Sequence, residues 1–154
     1  MNSDERDWRS IAEVYPSEAK EQAEDGSFYG PGDYGPLLHS WGYSVLLQVD
    51  DEDYQGDSRL LLKRWISGGM QYGYLNFGWG SCCGCDSLQA CSTLEEIEAL
   101  RRELHATIRW GTRAELLEFF KTHDWPGDYD WHHGETRRFV RAAVVLLEEV
   151  PTDA

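Results

Sequence analysis

The chain has 154 residues, 41% hydrophobic and 13% aromatic, enough to bury a core and too apolar for a disordered segment. Its 14 Lys and Arg stand against 28 Asp and Glu, a net charge of −14, which excludes nucleic-acid polymers as expected partners because their binding depends on basic side chains displacing phosphate counterions. No apolar run approaches the ~20 residues of a membrane span.

Met1 to Arg6 lacks the basic and apolar regions of a signal peptide. A cytoplasmic location is therefore expected, where cysteines serve as thiols or metal ligands rather than disulfides. The acidity is uneven. Residues 1–57 hold 14 acids and 3 bases, a net of −11, while residues 58–154 hold 14 acids and 11 bases, a net of −3. A solvated acidic surface accounts for this; a basic protein partner is the functional alternative.

In chain order, residues 4–24 are expected to form a helix with Trp8, Ile11 and Tyr15 on one stripe, interrupted by Pro16. Residues 25–36 carry Gly26, Gly30, Pro31, Gly32, Gly35 and Pro36 and read as a loop. Three strands follow. Tyr43, Val45, Leu47 and Val49 alternate in the first, Arg59 to Ile66 is the second, and Gln71 to Trp79 is the third. Ser67-Gly68-Gly69 reads as a hairpin turn.

The remainder reads as helical. Asp86-x-x-Gln89 suggests a capping box for a short helix, and Thr93-x-x-Glu96 a better one for a helix with Leu94, Ile97, Leu100, Leu104 and Ile108 on one stripe. Gly111 is its expected stop. Thr112-x-x-Glu115 opens another helix with Leu116, Leu117 and Phe120 inward. Glu135 to Val150 is apolar almost all round between Phe139 and Leu147, which predicts a central or partner-covered helix. The expected fold is one α+β domain over 1–154: an acidic helix and loop over 1–36, a three-stranded antiparallel meander over 42–80, and C-terminal helices over 86–150 packed against it.

The most unusual stretch is the end of the third strand. Phe77-Gly78-Trp79-Gly80-Ser81-Cys82-Cys83-Gly84-Cys85-Asp86 runs bulky rings into a glycine-rich turn with three of the four cysteines. Glycines let such a turn approach a ligand closely, and a turn between strand and helix points N–H groups outward. The loop Asp124 to His133 adds Trp125, Trp131, His132 and His133. Two tryptophans in one loop must bury against something. If that loop meets the cysteine turn, the two enclose a pocket. Gly80, Ser81, Gly84 and Asp86 would then supply polar contacts. Trp79, Tyr74, Trp125 or Trp131 would stack on a flat ring, with His132 beside them and Arg64 or Arg109 neutralising charge. The expected function is non-enzymatic binding of a small polar, nucleotide-like ligand.

Two other chemistries fit the residue types. Cys82-x-x-Cys85 with Cys91 has the donors for zinc, though the fourth ligand would have to come from His123, His132 or His133. No cofactor is needed otherwise. Cys85, at a helix start, would be a nucleophile candidate served by His132, except that Asp86 opposes a thiolate beside it. The bland reading of Cys82, Cys83 and Cys91 is buried small hydrophobes. Asp51-x-Asp53-x-Gln55-Gly56-Asp57 mimics the start of a calcium loop, but Leu62 stands where a bidentate Glu belongs, so a hydrated acidic turn is expected. An inhibitor acting through its acidic first 57 residues is the third reading.

Tyr54-Gln55-Gly56-Asp57, Tyr72 to Asp86, and Asp124-Trp125-Pro126-Gly127 followed by Trp131-His132 together resemble a family of small uncharacterised proteins from bacteria and their phages with a Gly-Ser-Cys-Ser-Gly-Cys-Asp signature. The similarity covers roughly residues 42–145, with Cys83 where that family has Ser. The resemblance implies a shared fold, singles out Cys82, Cys85 and Asp86, and suggests by association a role in host defence or its inhibition in the bacterial cell. It lends no reaction.

Overall fold

Backbone pairing between distant stretches, more than local propensity, decides how these elements assemble. The structure is a computed structural model and describes residues 5, 8–14, 34–52, 56–66, 68–80, 86–88, 90–91, 93–125 and 134–149. Its elements are α1 (Ile11–Val14), α2 (Gly35–His39), β1 (Ser44–Asp50), β2 (Gly56–Ile66), β3 (Gly69–Trp79), α3 (Leu94–Ala106), β4 (Arg109–Gly111), α4 (Arg113–Thr122) and α5 (Glu135–Glu149). The fold class is α+β, as expected, but the sheet has four antiparallel strands in the order β1-β2-β3-β4 rather than three. The extra strand is Arg109–Gly111, read above as the end of a helix. Helix α3 stops at Ala106, and the next residues satisfy their backbone groups by pairing with β3 in the register Tyr72↔Gly111, Gly73↔Trp110, Tyr74↔Arg109.

The hairpin turn between β2 and β3 contains Gly68 at φ 92°, a conformation that favours glycine. In β1 the expected alternation breaks. The register slips between Val45 and Leu47, so Leu46 bulges. Val45 is left exposed, while Leu46, Leu47 and Val49 pack on the core cluster of Leu61, Tyr72, Leu116 and Phe120.

Of the helix expected over 4–24, the described residues show Ile11–Val14, while residues 15–24, with Tyr15 and Pro16, lie outside them. Two other expectations change. The segment read as a loop up to Pro36 instead starts α2, with Pro36 in the first turn, where its missing N–H costs nothing. The Asp86 capping box does not open a helix. The Asp86 carboxylate accepts from the Leu88 N–H at 2.9 Å, a turn closed by the side chain two residues back. The Thr112 box forms in full, and the Thr93 box shows its side-chain cap. Thr93 Oγ1 accepts from Glu96 N–H at 3.2 Å, and Thr112 and Glu115 exchange side-chain bonds at 3.1 and 3.0 Å.

The chain divides into two compact units: one of Met1–Tyr43, Tyr54–Gly56 and Gly78–Ala106, the other of Ser44–Asp53, Asp57–Phe77 and Thr107–Ala154. In the first, α1 packs on α2 and α3. Its buried residues include Ile11, Leu37, Trp41, Leu88 and Ile97. The buried Arg101 ties α3 to the chain start, donating to the Arg9 carbonyl and the Ser40 hydroxyl. In the second, α5 lies against α4 and β1. Helix α5 is less uniformly apolar in place than its sequence suggests. Thr136, Phe139, Ala143 and Leu147 form the buried stripe, whereas Arg137, Arg138, Arg141, Val145, Glu148 and Glu149 are exposed. No helix among the described residues is long and apolar enough to cross a membrane.

Candidate functional site

Asp86 has a structural task. Its side chain is buried in the first unit, and its two oxygens accept from Tyr34 Oη, Gly80 N–H and Leu88 N–H, each at 2.9 Å. One carboxylate therefore fastens both ends of the segment carrying Ser81, Cys82, Cys83, Gly84 and Cys85. Those five residues lie outside the described residues, as do Trp131 and His132. Burial and the neighbouring Asp86 charge push the Tyr34 hydroxyl well above its ordinary value, so it stays a donor.

Cys91 is buried, and its thiol donates to the Ser87 carbonyl at 3.4 Å. Burial, with Glu96 and Asp86 near it, pushes this thiol up to about 11. A metal-binding or nucleophilic cysteine needs the opposite shift. Among the described residues no three His, Cys, Asp or Glu side chains converge on a metal position.

The remaining expected site residues that the structure describes belong to the two units separately. Trp79 closes β3 with 4% of its surface exposed, too deep to offer a free face. Gly80 follows it, with its N–H committed to Asp86. In the second unit, Arg64 donates from Nε and Nη2 to the Gln71 side chain at 3.1 and 2.9 Å and lies 3.7 Å above the Trp110 ring. Asp51, expected in a hydrated turn, is instead buried in an ion pair with Arg59 at 2.9 Å.

What the second unit does bring together is a ring cluster. Phe119 and His123 are one turn apart at the end of α4, so they share a face, with centroids 4.9 Å apart. Trp125 turns back two residues later, and its Nε1 donates to the Phe120 carbonyl at 3.1 Å, one of the acceptors a helix end leaves open. Its ring then lies 4.6 Å from His123, 5.5 Å from Phe119 and 5.8 Å from Phe120, the last pair stacked. Tyr74 on β3 backs the cluster at 5.5 Å from Trp125, and Phe139 of α5 lies 5.6 Å from Tyr74. Arg109, paired with Tyr74 across the sheet, holds its guanidinium 4.1 Å over Phe119. Tyr74, Phe119 and Trp125 are half-buried; His123 and Arg109 are exposed. Burial raises the Tyr74 hydroxyl above its ordinary value, so it remains neutral at the cluster's base.

Two arrangements escaped the sequence reading. In the first unit, His105 Nε2 and Tyr43 Oη are 2.8 Å apart, and the Trp8 indole N–H reaches that hydroxyl at 3.4 Å. The Trp8 and Trp41 rings lie 4.7 and 5.4 Å from the imidazole, which locks the group as packing. In the second unit, Glu135 is fully buried and neither oxygen has a hydrogen-bond partner. Its position in the polar-looking Gly134-Glu135-Thr136 gave no hint of burial. No protein-family model, curated protein or solved structure matches the chain.

Proposed function

We propose that this is a non-enzymatic binding protein for a small polar ligand with a flat, nucleotide-like ring, seated on the ring cluster of the second unit. The observation that carries the reading is the rim of Phe119, His123 and Trp125 beside the exposed Arg109. Rings at a surface offer a stacking face worth ~1–3 kcal/mol per base, and the guanidinium meets a negative group on the ligand. Tyr74, Trp125 and Arg109 were each suited to this by residue type, and they share one neighbourhood. No residue among them forms a nucleophile–base pair, so binding rather than turnover is the natural use. Nothing among the described residues favours the zinc or thiol enzyme, or the acidic inhibitor.

Isothermal titration of the full chain against a nucleoside and nucleotide panel tests the reading. Binding by at least one member is expected, weakened about tenfold by His123→Ala, which removes one stacking ring. Silence from every member would dismiss it.

A further inference from the structure

We infer that the outward face of α5 is a dimer interface: it pairs with the same helix of a second copy, the two running antiparallel about a two-fold axis at the level of Ala143. That face carries Arg137, Arg138, Arg141, Val145, Glu148 and Glu149, all exposed and all on the side of the helix away from the buried stripe of Phe139, Ala143 and Leu147. Val145 is 52% exposed, one of the exposed large hydrophobics among the described residues. The charges run against the helix dipole. Arginines crowd the N-terminal end, where the dipole is positive, and glutamates the C-terminal end, where it is negative. Their partners within the chain are thin. Arg138 Nη2 lies 3.6 Å from Glu135, beyond hydrogen-bond range, and Lys121 Nζ lies 3.5 Å from Glu148 with both side chains about half exposed. Arg141 and Glu149 form no ion pair among the described residues.

An antiparallel second copy answers each of these features. In a two-fold pair, residue i meets j and j meets i. Arg138 and Glu148 stand five residues either side of Ala143, Arg137 and Glu149 six, and Arg141 and Val145 two. A single register therefore sets Arg138 against the partner's Glu148 and Arg137 against the partner's Glu149, and lays the stem of Arg141 along the partner's Val145. Each pair occurs twice. Arg138, Arg141, Val145 and Glu148 are spaced by three, four and three residues, the spacing of the seam along which helices pack side by side. The partner's glutamates also come to the N-terminal end of α5 and its arginines to the C-terminal end, where each meets a favourable dipole. A parallel pair would set like charges opposite each other. The face holds three arginines and two glutamates in a chain of net charge −14, so it is also where a second acidic copy is least repelled. An unrelated anionic partner accounts for the arginines alone and leaves Val145, Glu148 and Glu149 unexplained. One 15-residue helix makes less than a standard interface, so the dimer is weak and depends on concentration.

Sedimentation equilibrium of the full chain at physiological salt tests this. The mass is expected to climb with concentration from 17.7 kDa toward twice that value. A constant monomer mass up to millimolar concentration overturns the inference. Growth past the dimer overturns it as well, since a two-fold contact closes. Two charge-reversed chains probe the register, one with Arg137→Glu and Arg138→Glu, the other with Glu148→Arg and Glu149→Arg. Each alone sets like charges opposite each other and should dimerise at least about tenfold more weakly, whereas the two mixed in equal amounts should recover a dimer near wild-type strength. In chains whose circular dichroism matches wild type, a dimer that either reversal leaves intact, or that mixing does not restore, overturns the pairing. Val145→Glu gives a result that does not depend on those chains folding. It sets a carboxylate opposite the partner's Arg141 and should tighten the dimer, where an unspecific apolar contact would be weakened. Unchanged or weaker association in this variant refutes the register.

Discussion

Gly73 faces Trp110 across the β3–β4 pair, and a Cβ there would stand 2.8 Å from Trp110 ring carbons and from Ile108 Cγ2. Gly73→Ala is therefore expected to cost about 1–3 kcal/mol, as overpacking does; an unchanged urea midpoint would mean that the indole moves aside freely. Cys91 and Tyr34 set a limit at high pH. Each folded-state value is raised by burial, so the unfolded chain loses these protons first and stability falls as pH rises. The loss from Cys91 begins near the ordinary thiol value of ~8.5 and runs to its raised value of about 11. Denaturation midpoints measured from pH 8 to 11 should decline, and Cys91→Ala should flatten the first part of that decline. Parallel curves would refute the assignment. Asp86 stood out in the sequence, but its use did not. Its hydrogen-bond donor Tyr34 lies 52 positions earlier, and no local pattern announces such a partner.

At the level of elements, local signals were legible and non-local ones were not. The Thr112–Glu115 box needs only four consecutive residues, and it forms. Thr112→Ala should cost about 1 kcal/mol of stability, read by chemical denaturation. The Glu115 carboxyl is held below its ordinary range by the Thr112 N–H, so its contribution exists above the unfolded carboxylate value and vanishes as pH falls through the lower folded one. The midpoint difference between wild type and Glu115→Gln should accordingly close in strong acid; a difference that persists there would assign it to something other than charge. Strand β4, by contrast, is three residues long and exists because β3 lies beside it. The Leu46 bulge is likewise a property of pairing, since nothing in Val45-Leu46-Leu47 marks which residue is extra. Helix α5 read as apolar all round because adjacent valines and leucines hide a stripe that only packing reveals. Leu147 ends that stripe fully buried, and Leu147→Ala should cost about 2–5 kcal/mol.

For the molecule as a whole, the order of residues along the chain differs from their grouping in space. Neither unit is one continuous stretch, and β3 passes from one to the other between Phe77 and Gly78. The core of the second unit joins Leu61 and Tyr72 to Leu116, Phe120, Phe139 and Leu147. A fragment of residues 107–154 lacks the first two, and its far-ultraviolet circular dichroism is expected to show little helix, because short helices without a packed face are marginal in water. Substantial helix in that fragment would show that α4 and α5 sustain each other alone. Interleaving of this kind is invisible in a sequence, being made wholly of contacts between remote stretches. It also orders events at birth. As the ribosome releases the polypeptide from its amino end, Trp8, Ile11 and Trp41 emerge well before Ile97 and His105, so those side chains wait, uncovered, until α3 follows.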